Sequence, residues 1–148
     1  MGELPDRITF THNGLRYGVV HGGASDVSRF IWPVTADDEI AAEIALLESQ
    51  VGVVDRVLAG HSGITMTREL DNKMWINVGA IGMPAHDGDI DTRFTIISEN
   101  LIDNRVLEYN IEAAIQAMQA NALTQGYHAT LKTGYWPSEE ILPVEMRL

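Results

Sequence analysis

The sequence predicts an α/β fold of the α+β kind: a mixed sheet built from hairpins, with flanking helices. Three observations lead there. Short strand-like runs recur along the 148 residues, most of them joined by hairpin signals. Segments with apolar residues at helical spacing are inserted between those runs. No repeat, low-complexity tract or linker interrupts the pattern, so residues 1–148 are expected to form one domain, long enough to bury a core.

The elements follow in order. Residues 7–12 and 15–20 flank Asn13-Gly14, the strongest two-residue hairpin signal, because both positions tolerate positive φ. Ile8 and Phe10 share one face, and Leu15, Tyr17 and Val19 share another. Residues 22–29 read as a loop. A helix opens at 35–40, with Thr35 or Asp37 as cap and acids in its first turn. Ile40, Ile44, Leu47 and Val51 fall at helical spacing and define its buried face. Residues 53–59 are a short strand, and 64–69 with 73–78 form a second hairpin. A glycine- and acid-rich loop spans 79–91. Strands follow at 93–97 and 105–109, then a helix from Ile111 capped by Asn110, with Ile111, Ile115 and Met118 on one side. A short helix and a proline-terminated tail complete the chain.

Composition narrows the function. The formal net charge is −11, which repels phosphate backbones and anionic lipid, so neither nucleic-acid coating nor membrane-surface binding is expected. A phosphate-bearing substrate therefore needs a local positive charge, and a bound metal is the obvious source. There is no cysteine, which excludes disulfides, thiolate metal sites and cysteine nucleophiles. No apolar run reaches the roughly 18 residues of a membrane span. The first residues have neither the basic start nor the apolar stretch of a signal peptide, so the default expectation is the cytoplasm.

Two histidines directly follow apolar strands: His21 in YGVVHG (17–22) and His61 in RVLAGHSG (56–63). Strand ends in open α/β sheets are where ligands bind, imidazole is a common metal ligand, and glycine neighbours allow close approach. One such histidine alone is more often a turn residue bonded to backbone; two in one small chain point to metal. Asn77 interrupts the apolar run MWINVG (74–79), where a polar side chain needs a hydrogen-bonding task. The remaining candidates have plainer readings. Asp87, Asp89 and Asp91 read as solvated turn acids, His86 as a surface-loop residue, and Arg93 as a partner of Asp91 or Glu99. Trp32, Trp75 and Trp136 read as core or interface, and His12 and His128 as incidental.

Taken in order, YGVVHG, RVLAGHSG, WINVGAIGMP (75–84) and TRFTII (92–97) resemble the calcineurin-like metallophosphoesterases, chiefly their small bacterial members. The tail TGYWPSEEILP (133–143) is also similar to theirs. The resemblance implies a four-layer α/β/β/α sandwich, of which this chain supplies the C-terminal half, and hydrolysis of phosphate mono- or diesters at two divalent metals. By it, His21 and His61 ligate the same ion (Mn, Ni, Zn or Fe), and Asn77 shapes the adjoining loop. Two imidazoles without carboxylates favour Zn or Ni over Mn or Mg.

The departures are equally specific. The family pattern is Gly-His-x-His, and Gly63 stands at its fourth position. The upstream Asp-x-His, Gly-Asp-x-x-Asp and Gly-Asn-His motifs are absent. The expectation is half of a dinuclear site, a chain truncated relative to the family and inactive alone. The alternative is a degenerate, non-catalytic interaction module. Either way, bared sheet surface predicts a homo-oligomer or a covering partner chain.

Overall fold

A computed structural model describes residues 5–99, 101–123 and 125–148. It contains β1 (Arg7–His12), β2 (Leu15–Val20), α1 (Asp37–Val51), β3 (Arg56–Ala59), β4 (Met66–Leu70), β5 (Lys73–Asn77), β6 (Arg93–Ile97), β7 (Ile102–Val106), α2 (Ile111–Ala120) and α3 (Tyr127–Thr133). A short 3-10 turn follows at Val144–Met146. The main sheet has the order β1-β2-β3-β5-β4, and β6 and β7 form a separate two-stranded sheet. The class is the predicted mixed α/β.

The Asn13-Gly14 turn forms as its sequence dictates, with φ of 49° and 77°, and sets Phe10 opposite Tyr17 across the β1–β2 hairpin. The two rings stack at 4.9 Å. From β2 the chain crosses over through α1 and returns as β3, parallel to β2. The β4–β5 hairpin then places β5 parallel to β3, with β4 outside it. Strands β2, β3 and β5 therefore run side by side in one direction and end on one edge.

Each face of the sheet has its own core. Ile40, Ile44 and Leu47 of α1 pack on Val20, Val57, Ala59 and Trp75. Gly18 lets the helix come close, since a Cβ there would sit 2.7 Å from Leu47 Cδ2. On the opposite face Tyr17, Leu58 and Ile76 meet Ile97 and Ile102 of the small sheet. A third cluster of Trp32, Ile64, Trp136 and Leu142 lies beneath the tail.

The structure moves several expected boundaries. Thr35 does not cap α1; its hydroxyl accepts the Trp32 N–H at 2.8 Å. The cap is Ala36, without a side-chain bond, and Asp37 pairs with Arg68 at 2.5 Å. Val53 is 70% exposed on the way out of α1, so β3 starts at Arg56. Ile64 is drawn into the tail cluster, so β4 starts at Met66. The last strand is Ile102–Val106 instead of 105–109, because Ile97 pairs with Ile102. Asn110 caps α2 as expected, accepting the Ala113 N–H.

Leu47 is fully buried at the centre of the α1 interface. Leu47→Ala is expected to lower the unfolding free energy by about 2–5 kcal/mol, read as a shifted midpoint in urea at unchanged slope.

Candidate functional site

The parallel strands deliver the candidate residues. β2 ends at Val20, and His21 is next. β3 ends at Ala59, followed by Gly60 and His61. β5 ends at Asn77 itself. The backbone joins the first two ends directly, because the His21 carbonyl accepts both the Gly60 N–H at 3.0 Å and the His61 N–H at 2.8 Å. The side chains meet above this junction. His61 Nδ1 lies 2.9 Å from His21 Nε2, with ring centroids 4.8 Å apart. His21 is exposed and His61 half-buried. The structure thus brings together two imidazoles that are 40 residues apart in the chain.

Their spacing suits one ion. Metal–nitrogen distances of about 2.0–2.1 Å separate two ligand nitrogens on one ion by roughly 2.9 Å at a right angle and about 3.4 Å at the tetrahedral angle. In the metal-free pair one ring N–H donates to the other nitrogen, so binding an ion requires loss of that proton and a turn of the rings to aim both lone pairs at it. Burial, then the charge of His21, holds the His61 ring below the usual imidazole pKa, against the opposing pull of Asp26 and the Ser28 backbone. A neutral ring keeps its lone pair free for a ligand bond. Among the described residues no group of three or more histidine or carboxylate side chains is placed to hold a metal.

Asn77 is 1% exposed. Its Nδ2 donates to Ser62 Oγ, and its Oδ1 accepts the Gly79 N–H at 3.1 Å. One amide therefore ties the loop after β3 to the loop after β5. Sequence reasoning missed two further contributors. Glu43 of α1, 7% exposed, accepts the Ala24 and Ser25 N–H groups and the Ser25 hydroxyl, and so fixes the loop that leaves His21. The close packing of Gly22 and Gly23 permits this, since a Cβ on Gly23 would stand 2.8 Å from Glu43 Oε2. The spacing of Glu43 from Ile40 and Ile44, on the buried face of the helix, was the available signal. The other contributor is Phe30, whose ring centroid is 4.3 Å from that of His61. Phe30 also lines a 470 Å³ cavity running past Arg29, Trp32 and Thr35 to Pro143 and Glu145.

The other candidates lie elsewhere. His86 is buried, contrary to its reading as a surface residue. It sits at φ 66° and accepts the Trp136 N–H on Nδ1 at 2.8 Å, which leaves Nε2–H to donate to Glu139 at 2.9 Å. It fastens the tail. Asp87 and Asp89 accept backbone N–H groups two residues ahead. Arg93 pairs with Asp89 at 3.8 Å instead of Asp91 or Glu99. Trp75 belongs to the core under α1, and Trp32 and Trp136 to the core beneath the tail.

The fold recurs in solved structures. A hypothetical protein from Pyrococcus horikoshii superposes with a TM-score of 0.72 at 14% identity, over 89% of this chain and 52% of that one. The metallophosphoesterase from Sphaerobacter thermophilus superposes with a TM-score of 0.71 at 19% identity, over 90% of this chain and 60% of that one. The chain has a metallophosphoesterase fold. It spans about half to three-fifths of the length of these two neighbours. No family model matches the sequence, and no curated protein does. Among the described residues no helix is long and apolar enough to cross a membrane.

The lowered His61 pKa has a defined consequence for stability. The unfolded chain takes up a proton near the ordinary imidazole value of 6.5, before the folded chain does. The unfolding free energy of the metal-free protein is expected to fall as pH drops below about 6.5, and the decline to end below the folded-state pKa. Denaturant titrations from pH 8 to 5 should show a shallower slope for His61→Gln than for the wild type.

Proposed function

We propose that this chain carries half of a metallophosphoesterase site, with His21 and His61 holding one divalent ion for the hydrolysis of phosphate mono- or diesters. The supporting observation is the 2.9 Å approach of the two ring nitrogens at the ends of adjacent parallel strands. A bound ion supplies Lewis acidity toward a phosphoryl oxygen. The residues of this chain do the positioning: the His21 carbonyl sets the two rings, Asn77 holds the loops on either side of Ser62, and Glu43 fixes the loop from His21. The cavity beside Phe30 gives room for the organic part of an ester. Turnover needs ligands beyond these two imidazoles, supplied by further chain or by a partner. With nitrogen donors only, Zn²⁺ and Ni²⁺ are preferred to Mn²⁺ and Mg²⁺.

Calorimetric titration with Zn²⁺ is expected to show binding to the wild type and none to His21→Ala/His61→Ala. Equal binding by both would remove the ligand assignment. Hydrolysis of p-nitrophenyl phosphate by the chain alone, abolished by His61→Ala, would overturn the half-site reading.

A specific surface favours a second reading, a non-catalytic interaction module. Ile8 is 51% exposed, Phe10 38% and Val27 57%. An apolar cavity of 500 Å³ runs between Pro5, Ile8, Val19 and Val27 up to His21. Among the described residues β1 is also an edge strand of the main sheet. On this reading a second copy or a partner chain covers β1. Sizing across a dilution series is expected to show association that Ile8→Lys weakens; a monomer at every concentration, with no partner required, removes it.

A further inference from the structure

We infer that the flank of the imidazole pair at residue 63 is a hydrophobic wall that fastens the tail and excludes a second ion, so that Gly63 is a packing residue and not a ligand position left empty. The inference rests in part on the one-ion reading of His21 and His61, but the wall itself is independent of any ion. Three observations carry it.

The first is backbone conformation. Gly63 has φ 70°, a left-handed value that costs a residue with a side chain. Its N–H donates to the Gly60 carbonyl at 2.9 Å, which closes the turn around His61. The second is occupancy. A Cβ on residue 63 would stand 2.8 Å from the Met83 methyl, 3.8 Å from Ala80 Cβ and 3.9 Å from Trp136 Cζ2. The Met83 methyl alone could swing aside for a Cβ. An imidazole extends beyond the Cβ, and Met83, with Ala80 and Trp136 at contact distance behind it, already stands at that flank.

The third is what lies behind. Trp32, Ile64, Trp136 and Leu142 form one buried cluster, with Phe30, Met83 and Met146 packed against it. Trp136 is pinned by two bonds: its Nε1–H donates to the Pro84 carbonyl at 2.7 Å and its backbone N–H to His86 at 2.8 Å. Met83 and Ala80 come from the loop after β5, and Trp136, Leu142 and Met146 from the tail. All converge on the turn that carries His61. The nearest contacts of position 63 are a thioether methyl, an alanine methyl and an indole edge. The small cavity beside it, lined also by Thr65, Asp91 and Arg93, has no room for a water-sized group, so the one hard anionic donor there, Asp91, faces filled space.

The test pairs zinc stoichiometry with metal-free stability in four proteins: the wild type, Gly63→Ala, Gly63→His and Gly63→His/Met83→Ala. The wild type is expected to bind one Zn²⁺ per chain by calorimetry and elemental analysis. Gly63→His is expected to gain no second ion and to melt several degrees lower without metal. Gly63→Ala should show a smaller loss, from backbone strain and a displaced Met83 methyl, and it keeps the test valid if the histidine variant fails to fold. Removing the Met83 side chain should recover part of the Gly63→His loss, since it vacates the contested space. A second ion in Gly63→His, or a melting temperature equal to the wild type for both single variants, overturns the wall. A wild type that binds no zinc, beside a Gly63→His that melts lower, upholds the wall and defeats the one-ion reading instead.

Discussion

The site depends on the parallel pairing of β2 with β3. That pairing aligns Val19 with Leu58 and brings the two strand ends level. The His21 carbonyl then receives the N–H groups of Gly60 and His61, so the junction is held by main chain before any side chain takes part. A one-residue slip of β3 would turn its side chains to the opposite face and carry His61 away from His21. The register is protected because Val57 and Leu58 face different cores, one under α1 and one under the small sheet. Both cores would have to be surrendered together for the register of β3 to slip.

Around this junction two buried polar side chains, Glu43 and Asn77, hold loops in place. Glu43 is a buried acid in a chain of net charge −11, an arrangement that electrostatics alone disfavours. It is matched by two amides and a hydroxyl of the loop it faces, with Arg29 Nε 3.9 Å away. Asn77 is equally buried and equally matched, by Ser62 and Gly79. Both side chains act on loops that follow parallel strands and that no sheet ladder can hold. Helix α1 therefore has two tasks: its apolar face builds the core, and one acid within that face sets the exit from β2.

Local chemistry made part of this legible in the sequence. The Asn13-Gly14 turn, the α1 stripe of Ile40, Ile44 and Leu47, and the Asn110 cap each rest on residues within a few positions of one another, and each forms as read. The two histidines stood out because each directly follows an apolar strand. Their approach to 2.9 Å was not readable, since it depends on which strands pair and in what register. Long-range partners also explain the misreadings. His86 is buried by Trp136 and Glu139, some fifty residues downstream. Ile64 leaves its strand pattern to meet the tail. In residues 102–109 the only apolar pair, Val106 and Leu107, gives no clear alternation, and the strand there is placed by pairing with β6.

The three tryptophans divide between separate cores, and this gives the molecule two internal optical reporters. Trp75 lies in the core under α1, with no exposed surface, and senses the closure of sheet and helix. Trp32 and Trp136 sit beneath the tail, and Trp32 stacks on Phe30, whose other neighbour is His61. A paramagnetic ion held by the imidazoles would quench light from this second pair more strongly than from Trp75. Occupancy of the strand ends and integrity of the main core are therefore separable by emission alone.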